Sequence, residues 1–288
     1  MKILVSGCTG FIGSNLIPKL QKQGHEVEGI SRKPTNSNHK MYAIDLQSNH
    51  LTKKIRATNF DAIIHLAADT NEKDLSSMLN ENVITTLNIL EFAKEKNIKK
   101  FVFVSGHNVY SPSKILPIKE NFPTLPFTNY GCTKLLSENL VSYYSSNFDL
   151  HAIILRVSVT YGNGYPEKNT IGKFIESYKK SKPIFLHRYK NGFQKVDLVN
   201  VHDVCDAIIK ALTLKKKHAI YNIASGKPVT VKDVIKILQN NIRSDSKISV
   251  KNIGKKRAHF YYDIKTAKAK LGFEPKISLE EGIVSLLH

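Results

Sequence analysis

Along the first half of the chain, short runs of apolar, mostly β-branched residues alternate with longer stretches in which apolar positions recur every three or four residues. The short runs predict strands over 2–6, 26–31, 40–45, 62–66, 100–105 and 151–156. The longer stretches predict helices over 12–23, 74–95 and 130–146. In the middle one, Leu75, Met78, Leu79, Asn82, Val83, Thr86, Ile89, Leu90 and Ala93 fall on one side, a face for the core or for pairing with another helix. Strand–helix alternation of this kind builds a parallel sheet covered by helices.

After Tyr161 the texture changes, with Gly162, Gly164 and Pro166 interrupting the alternation. Helices are expected over 171–181, 201–214, 231–241 and 279–287, with strands near Ile184, 196–199, 220–223 and 248–250. This divides the chain into residues 1–160 and a smaller lobe, 161–288. Composition excludes a disordered or fibrous protein: 41% of the 288 residues are hydrophobic and 23% charged. No apolar run approaches the roughly 20 residues of a membrane helix, and the amino terminus enters a strand directly, so a cytoplasmic protein is expected. Cys8, Cys132 and Cys205 lie far apart and read as reduced thiols; His65, His107, His202 and His259 lack ligand spacing, so no metal is assigned. The net charge of +19 is uneven, because residues 161–288 carry 25 Lys/Arg against 11 Asp/Glu. Such an excess attracts anions, although a solvated lysine-rich surface has the same composition; with no reading motif beside it, no nucleic-acid role is assigned.

Three local patterns carry chemistry. Gly7, Gly10 and Gly13 follow the first strand and open the first helix, with Thr9, Phe11 and Ile12 between them. Such glycines give a tight turn, let backbone approach a pyrophosphate, and pack helix closely on strand. The helix amides then face the phosphates. At the end of the second strand, where an acidic residue would accept from ribose hydroxyls, stand Ser31, Arg32 and Lys33. A serine with two cations suits a ribose 2′-phosphate, which favours NADP over NAD. Finally, Tyr130 and Lys134 lie one turn apart on a helix face, a spacing at which an ammonium lowers a phenol's pKa and lets it move a proton. Cys132 between them reads as structural.

Together these residues resemble the extended short-chain dehydrogenase/reductase superfamily, in particular its nucleotide-sugar epimerases, dehydratases and reductases, over essentially the whole chain. Asp45-Leu46 is similar to the family's adenine-contacting pair, and His65-Leu66-Ala67-Ala68 to its strand beside the cofactor. Asn82 matches the asparagine of the following helix. Phe101 to Ser105 with Val109-Tyr110 resembles the active-site strand, and Leu155 to Gly162 the segment leading to the substrate lobe. Val201-His202-Asp203-Val204 and Asp263 to Pro275 resemble late signatures. The resemblance implies an α/β fold: a Rossmann-like doubly wound parallel sheet, and a smaller carboxy-terminal α/β substrate lobe from which some strands and helices return to the sheet. It also implies a homodimer formed through the 74–95 and 130–146 helices.

There are departures. The family's catalytic Ser or Thr falls on Gly106, leaving Ser105 as the nearest hydroxyl, with His107 and Asn108 as further substrate contacts. Val159 and Val196 replace an asparagine and an arginine of many epimerases. Lys195, Lys256 and Arg257, with Lys255, are the cations expected to meet an anionic substrate. The expected activity is hydride transfer on a nucleotide-linked sugar with NADP (alternatively NAD), Tyr130 exchanging the proton, Lys134 holding the nicotinamide ribose, and Ser105 as hydroxyl partner. The alternatives are an NADPH-dependent reductase of keto-sugars or small carbonyl compounds, and a non-catalytic NADP-binding sensor or scaffold.

Overall fold

The structure, a computed structural model, describes residues 1–35, 37–48, 51–56, 59–71, 74–164 and 170–287; Pro166 lies outside them. In chain order the strands are β1 (Lys2–Ser6), β2 (Glu26–Ser31), β3 (Lys40–Ala43), β4 (Ala62–His65), β5 (Lys100–Gly106), β6 (His151–Val157), β7 (Val159–Tyr161), β8 (Ile184–Tyr189), β9 (Val196–Asn200), β10 (His218–Ile223), β11 (Pro228–Val229) and β12 (Ile248–Ile253). The α-helices are α1 (Phe11–Lys22), α2 (Leu51–Lys54), α3 (Leu75–Met78), α4 (Thr85–Glu95), α5 (Asn129–Asn147), α6 (Thr170–Lys179), α7 (Val201–Thr213), α8 (Val231–Asn241) and α9 (Leu279–Val284).

Seven strands form one parallel sheet in the order β3-β2-β1-β4-β5-β6-β10. The period-2 alternation of β1 shows why it is central. Ile3 and Val5 join Leu16 and Leu20 of α1 and Val204 and Ile208 of α7 on one face, while Leu4 joins Ile89, Leu90 and Phe92 of α4 on the other. Each such fully buried side chain contributes about 1.5–3 kcal/mol. The order reverses between β1 and β4, and the crevice above that reversal, at the carboxyl ends of the strands, is where doubly wound sheets bind ligands.

The 74–95 segment is not one regular helix. A π turn at Leu79–Ile84 joins α3 to α4. It leaves Met78, Asn82, Thr86, Ile89, Leu90 and Ala93 buried while Leu75 is exposed. β3 stops short of residue 45 because the Asp45 carboxylate accepts from the Gln47 amide and turns the chain. α9 ends at Val284, and β7, β11 and α2 are short elements the sequence pattern did not predict.

Beyond residue 160, β10 and α7 belong to the main sheet and its covering layer, α7 packing beside α1. The rest forms a smaller lobe: a β11-β9-β7 sheet, the parallel pair β8 and β12, and α6, α8 and α9 around Tyr161, Ile175, Leu198, Leu238 and Ile283. Two buried aspartates fasten it. Asp197 accepts from Ser225 Oγ (2.6 Å) and the amides of Ser225, Gly226 and Tyr262, and Asp203 accepts from the amides of Lys276 and Ile277. Asp203 thereby ties the start of α7 to the chain just past the 263–275 segment, and Asp197 ties β9 to the residue just before it.

Candidate active site

A cavity of about 600 Å³ opens at the β1–β4 crevice. Its walls come from four strand ends: Gly7, Thr9 and Gly10 after β1, Ser31, Arg32 and Lys33 after β2, Asp45 and Leu46 after β3, and Ala67, Ala68 and Asp69 after β4. Gly7 has φ +70°, and a Cβ there would lie 2.7 Å from the Ala67 nitrogen, so only glycine fits. A Cβ on Gly13 would lie 2.5 Å from the Gly7 carbonyl oxygen, which is how α1 packs so close to β1. At Gly10 only that same oxygen, at 3.2 Å, stands near, so a side chain would fill cavity space instead of meeting protein. α1 begins at this Gly10 cap with no acidic residue in its first turn, which leaves its positive dipole end for an anion. A chamber this long, glycine-walled where it meets a helix start, fits a dinucleotide's diphosphate.

At the end of β2, Ser31 Oγ bonds Thr9 Oγ1 (2.9 Å) and accepts from the Lys33 amide, so the turn holds Arg32 and Lys33 at the cavity wall. The carboxylates on that wall, Asp45, Asp69 and Glu81, come from other segments. Of the residues expected at the cofactor, Phe11, Ile12, Gly13, Leu66, Tyr130 and Lys134 do not line this cavity; Phe11, Ile12 and Leu66 pack against the α1 side of the core. Asn82 does not line the cavity either. It is buried, its Oδ1 accepting from the Asp69 amide (2.7 Å) and its Nδ2 donating to the Asp69 carbonyl and Thr133 Oγ1. It braces the loop that forms the cavity wall and ties it to α5.

Tyr130 and Lys134 stand on the first turns of α5, which starts at a Thr128 cap accepting from the Gly131 amide. Tyr130 lies against the end of β5: a Cβ placed on Gly106 would be 3.5 Å from Tyr130 Cε1 and 3.8 Å from its hydroxyl. The expected lowering of the phenol's pKa is reversed among the residues of the chain itself. Burial pushes Tyr130 up to about 12, because the Lys134 ammonium lies over the Phe103 ring, 4.2 Å from its centre, and does not act on the phenol. Lys134 is 3% exposed, and burial pulls it down to about 7 against the opposing pull of Glu138. Beside it His65, bonded to Ser6 Oγ (2.5 Å) and Thr86 Oγ1 (3.1 Å), is held down at about 3 by burial and by the Lys134 charge, and stays neutral.

Sequence reasoning missed the brace behind this site. Arg156 on β6 pairs with Glu138 of α5 (2.7 Å) and donates to Tyr110 Oη, which donates to Asn222 of β10 (2.6 Å). The pair fixes α5 against the sheet; Glu138, one turn after Lys134, was the available signal. Ser105 is 3% exposed on the β5 face shared with Phe101 and Phe103, and its Oγ is buried with no hydrogen-bond partner. His107 turns to the Val157 carbonyl (3.4 Å) and is lowered to about 4 by burial. Asn108 is half-buried. The turn after β8 clasps the segment before Phe260: the Asn191 side chain bonds both the carbonyl and the amide of Arg257, and the Lys195 carbonyl accepts from the Phe260 amide. This brings exposed Lys195, Lys256 and Arg257 onto neighbouring segments, and Phe260 stacks with Phe127 near the start of α5. Among the described residues, no group of three or more His, Cys, Asp or Glu is placed to hold a metal ion, and no helix is long and apolar enough to cross a membrane.

Comparison with known proteins agrees with this geometry. The provisionally named UDP-glucose 4-epimerase of Methanocaldococcus jannaschii is 33% identical over 99% of this chain and 97% of its own. A UDP-glucose 4-epimerase from Thermotoga maritima, solved with UDP-glucose, superposes with a TM-score of 0.89 at 27% identity, covering 100% of this chain and 97% of that one. MoeE5, solved with UDP-glucuronic acid and NAD, gives 0.88 at 25% identity, covering 99% and 97%. The profile of the NAD dependent epimerase/dehydratase family matches residues 3–224, and with the glycine turn, the Tyr130/Lys134 helix and the doubly wound sheet in place, the chain belongs to that family, as an enzyme of the extended short-chain dehydrogenase/reductase type.

Proposed function

We propose that this enzyme uses NADP(H) to move a hydride at a carbinol or keto carbon of a nucleotide-linked sugar, with Tyr130 exchanging the proton on the reacting oxygen. The observation that carries the reading is the placement of Tyr130 at the open end of β5, with Lys134 one turn behind it. When bound, the nicotinamide supplies the hydride chemistry. This chain supplies the rest. Gly7, Thr9 and Gly10 hold the diphosphate, Arg32 and Lys33 meet the 2′-phosphate, and Lys134 meets the ribose. A positive charge brought beside Tyr130 stabilises its phenolate and brings the pKa down from about 12 towards the working range. Lys195, Lys256 and Arg257 face the diphosphate of the sugar nucleotide. The relatives solved with UDP-sugars support that substrate class.

Preference for NADP(H) rests on Ser31, Arg32 and Lys33 at the cavity wall. Charge-assisted hydrogen bonds contribute about 1.5–3 kcal/mol each, so Arg32→Ala should weaken NADP(H) by about tenfold or more and leave NAD(H) nearly unchanged. Calorimetric titration of cofactor-free protein measures this, and tighter NAD(H) binding by the wild type would refute the preference. Stoichiometric consumption of NADPH by a nucleotide-linked keto-sugar identifies a reductase, whereas an epimerase interconverts sugars with no net consumption. Leu75, Ile84, Leu136 and Tyr143, exposed on the 75–95 segment and α5, are the apolar face proposed for a homodimer, which light scattering tests.

A further inference from the structure

Two side chains border the empty position at the end of β5. Gly106 has extended backbone (φ −129°, ψ 159°), and the place where its Cβ would stand is 3.8 Å from the Tyr130 hydroxyl and 3.5 Å from Asn108 Oδ1. One small atom in that space therefore sits within van der Waals reach of both the phenol and the carboxamide. The backbone of Asn108 is held in place, which keeps its side chain within reach of this space. It lies in the 3₁₀ turn His107–Val109, and its carbonyl oxygen is so close under Gly131 that a Cβ on residue 131 would overlap it, which locks the turn against the first turn of α5. The Asn108 side chain makes no hydrogen bond to another described residue, and the residue is only half-buried. Ser105, the nearest hydroxyl in sequence, has its Oγ sealed on the Phe103 side of β5.

We propose that the Asn108 carboxamide is the second catalytic hydrogen-bonding group of the site, holding the sugar's reacting oxygen against Tyr130 in place of a side chain on residue 106. The inference rests on the nucleotide-sugar reading above. In the reductive direction the Tyr130 O–H bond breaks as the sugar O–H bond forms, leaving the phenolate. With no bond to another described residue fixing its orientation, the carboxamide turns about its Cβ–Cγ bond so that Nδ2 takes the place of Oδ1 beside residue 106; it then donates throughout and keeps both its protons, so Tyr130 is the proton carrier and Asn108 sets the angle at which the oxygen meets it. An amide has no titration in the working pH range, so the arrangement adds no second protonic step.

The test uses the full chain with NADP(H), UDP-glucose and a UDP-linked 4-keto-sugar as probes. Removing a donor aimed at a reacting oxygen costs about 10²–10³ in kcat, so Asn108→Ala should lose about 100-fold in kcat with KM and cofactor affinity nearly unchanged. Adding Gly106→Ser to Asn108→Ala should return about tenfold, because the new hydroxyl enters the same space. Asn108→Asp, equal in size, should move the kcat–pH profile to higher pH, since a carboxylate beside the phenol disfavours the phenolate. A purely structural asparagine would lower thermal stability and cofactor affinity and would show neither the rescue nor the shift. Wild-type turnover with Asn108→Ala within about threefold overturns this proposal alone, as does loss in Ser105→Ala with Asn108→Ala intact. Failure of the wild type to turn over either sugar while it binds NADP(H) removes both this proposal and the reading it rests on.

Discussion

The turn after β1 and the end of β5 both use glycine, for opposite reasons. At Gly7 and Gly13 a side chain would collide with backbone at 2.5–2.7 Å, and Gly7 also needs a positive φ. At Gly106 the backbone is extended and the nearest atoms stand at ordinary contact distance, 3.5 Å or more. The first site is glycine because the fold admits nothing else. The second is glycine although the fold admits other residues.

The strongest way to sharpen this contrast is Tyr130→Phe. It should lower kcat by about 10²–10⁴ while affinity for the nicotinamide dinucleotide, measured calorimetrically, stays nearly the same, because the phenol borders Gly106 and not the glycine turn. Comparable loss of cofactor binding would merge the two regions into one. Next, Gly13→Ala should destabilise by about 1–3 kcal/mol through overpacking and weaken cofactor binding with it, seen as a lower midpoint in thermal melting. A normal melt would mean that α1 can back away from β1.

A third prediction concerns pH. Unfolded Lys134 keeps its proton up to about 10.5, while the folded protein holds it only below about 7. The unfolded state thus binds more protons between these values, and stability should rise with pH through that window, the penalty being fully present below it. Denaturant titrations of wild type and Lys134→Met, which should lose this rise, check the sign. The smallest effect belongs to Gly106→Ala. With compatible backbone and open space, it should change stability by less than about 1 kcal/mol, in the stabilising direction. A large loss would show that Gly106 is as constrained as Gly7.

The legible parts of the molecule were those encoded locally. The seven strands of the main sheet show in β-branched runs, and α8 carries its capping box at Thr230 and Asp233. Gly7, Gly10 and Gly13 announce their turn because steric need and sequence spacing coincide there. What the sequence hid depends on neighbours through space. That Asn82 braces the Asp69 loop against α5 shows only once Asp69 and Thr133 are seen to occupy its carboxamide. The direction of the Tyr130 shift followed from where Lys134 points, over Phe103, which helical spacing does not settle. The Arg156–Glu138–Tyr110–Asn222 brace joins four separate segments, and β7 is set off from β6 by a single residue, Ser158, whose hydroxyl donates to the Asp197 carbonyl.

The place of β10 in the sheet constrains how the protein is made. β6, buried along nearly its whole length, pairs on one side with β5 and on the other with a strand that arrives some sixty residues later in synthesis. Until residue 223 has left the ribosome, that apolar edge has no partner and offers its amides and carbonyls to any neighbouring chain. A nascent chain paused near residue 160 is therefore an aggregation hazard and not a finished nucleotide-binding half. The two lobes are separable to the eye but not to a gene, and swapping the smaller lobe between relatives has to leave β10 and α7 with the sheet they complete.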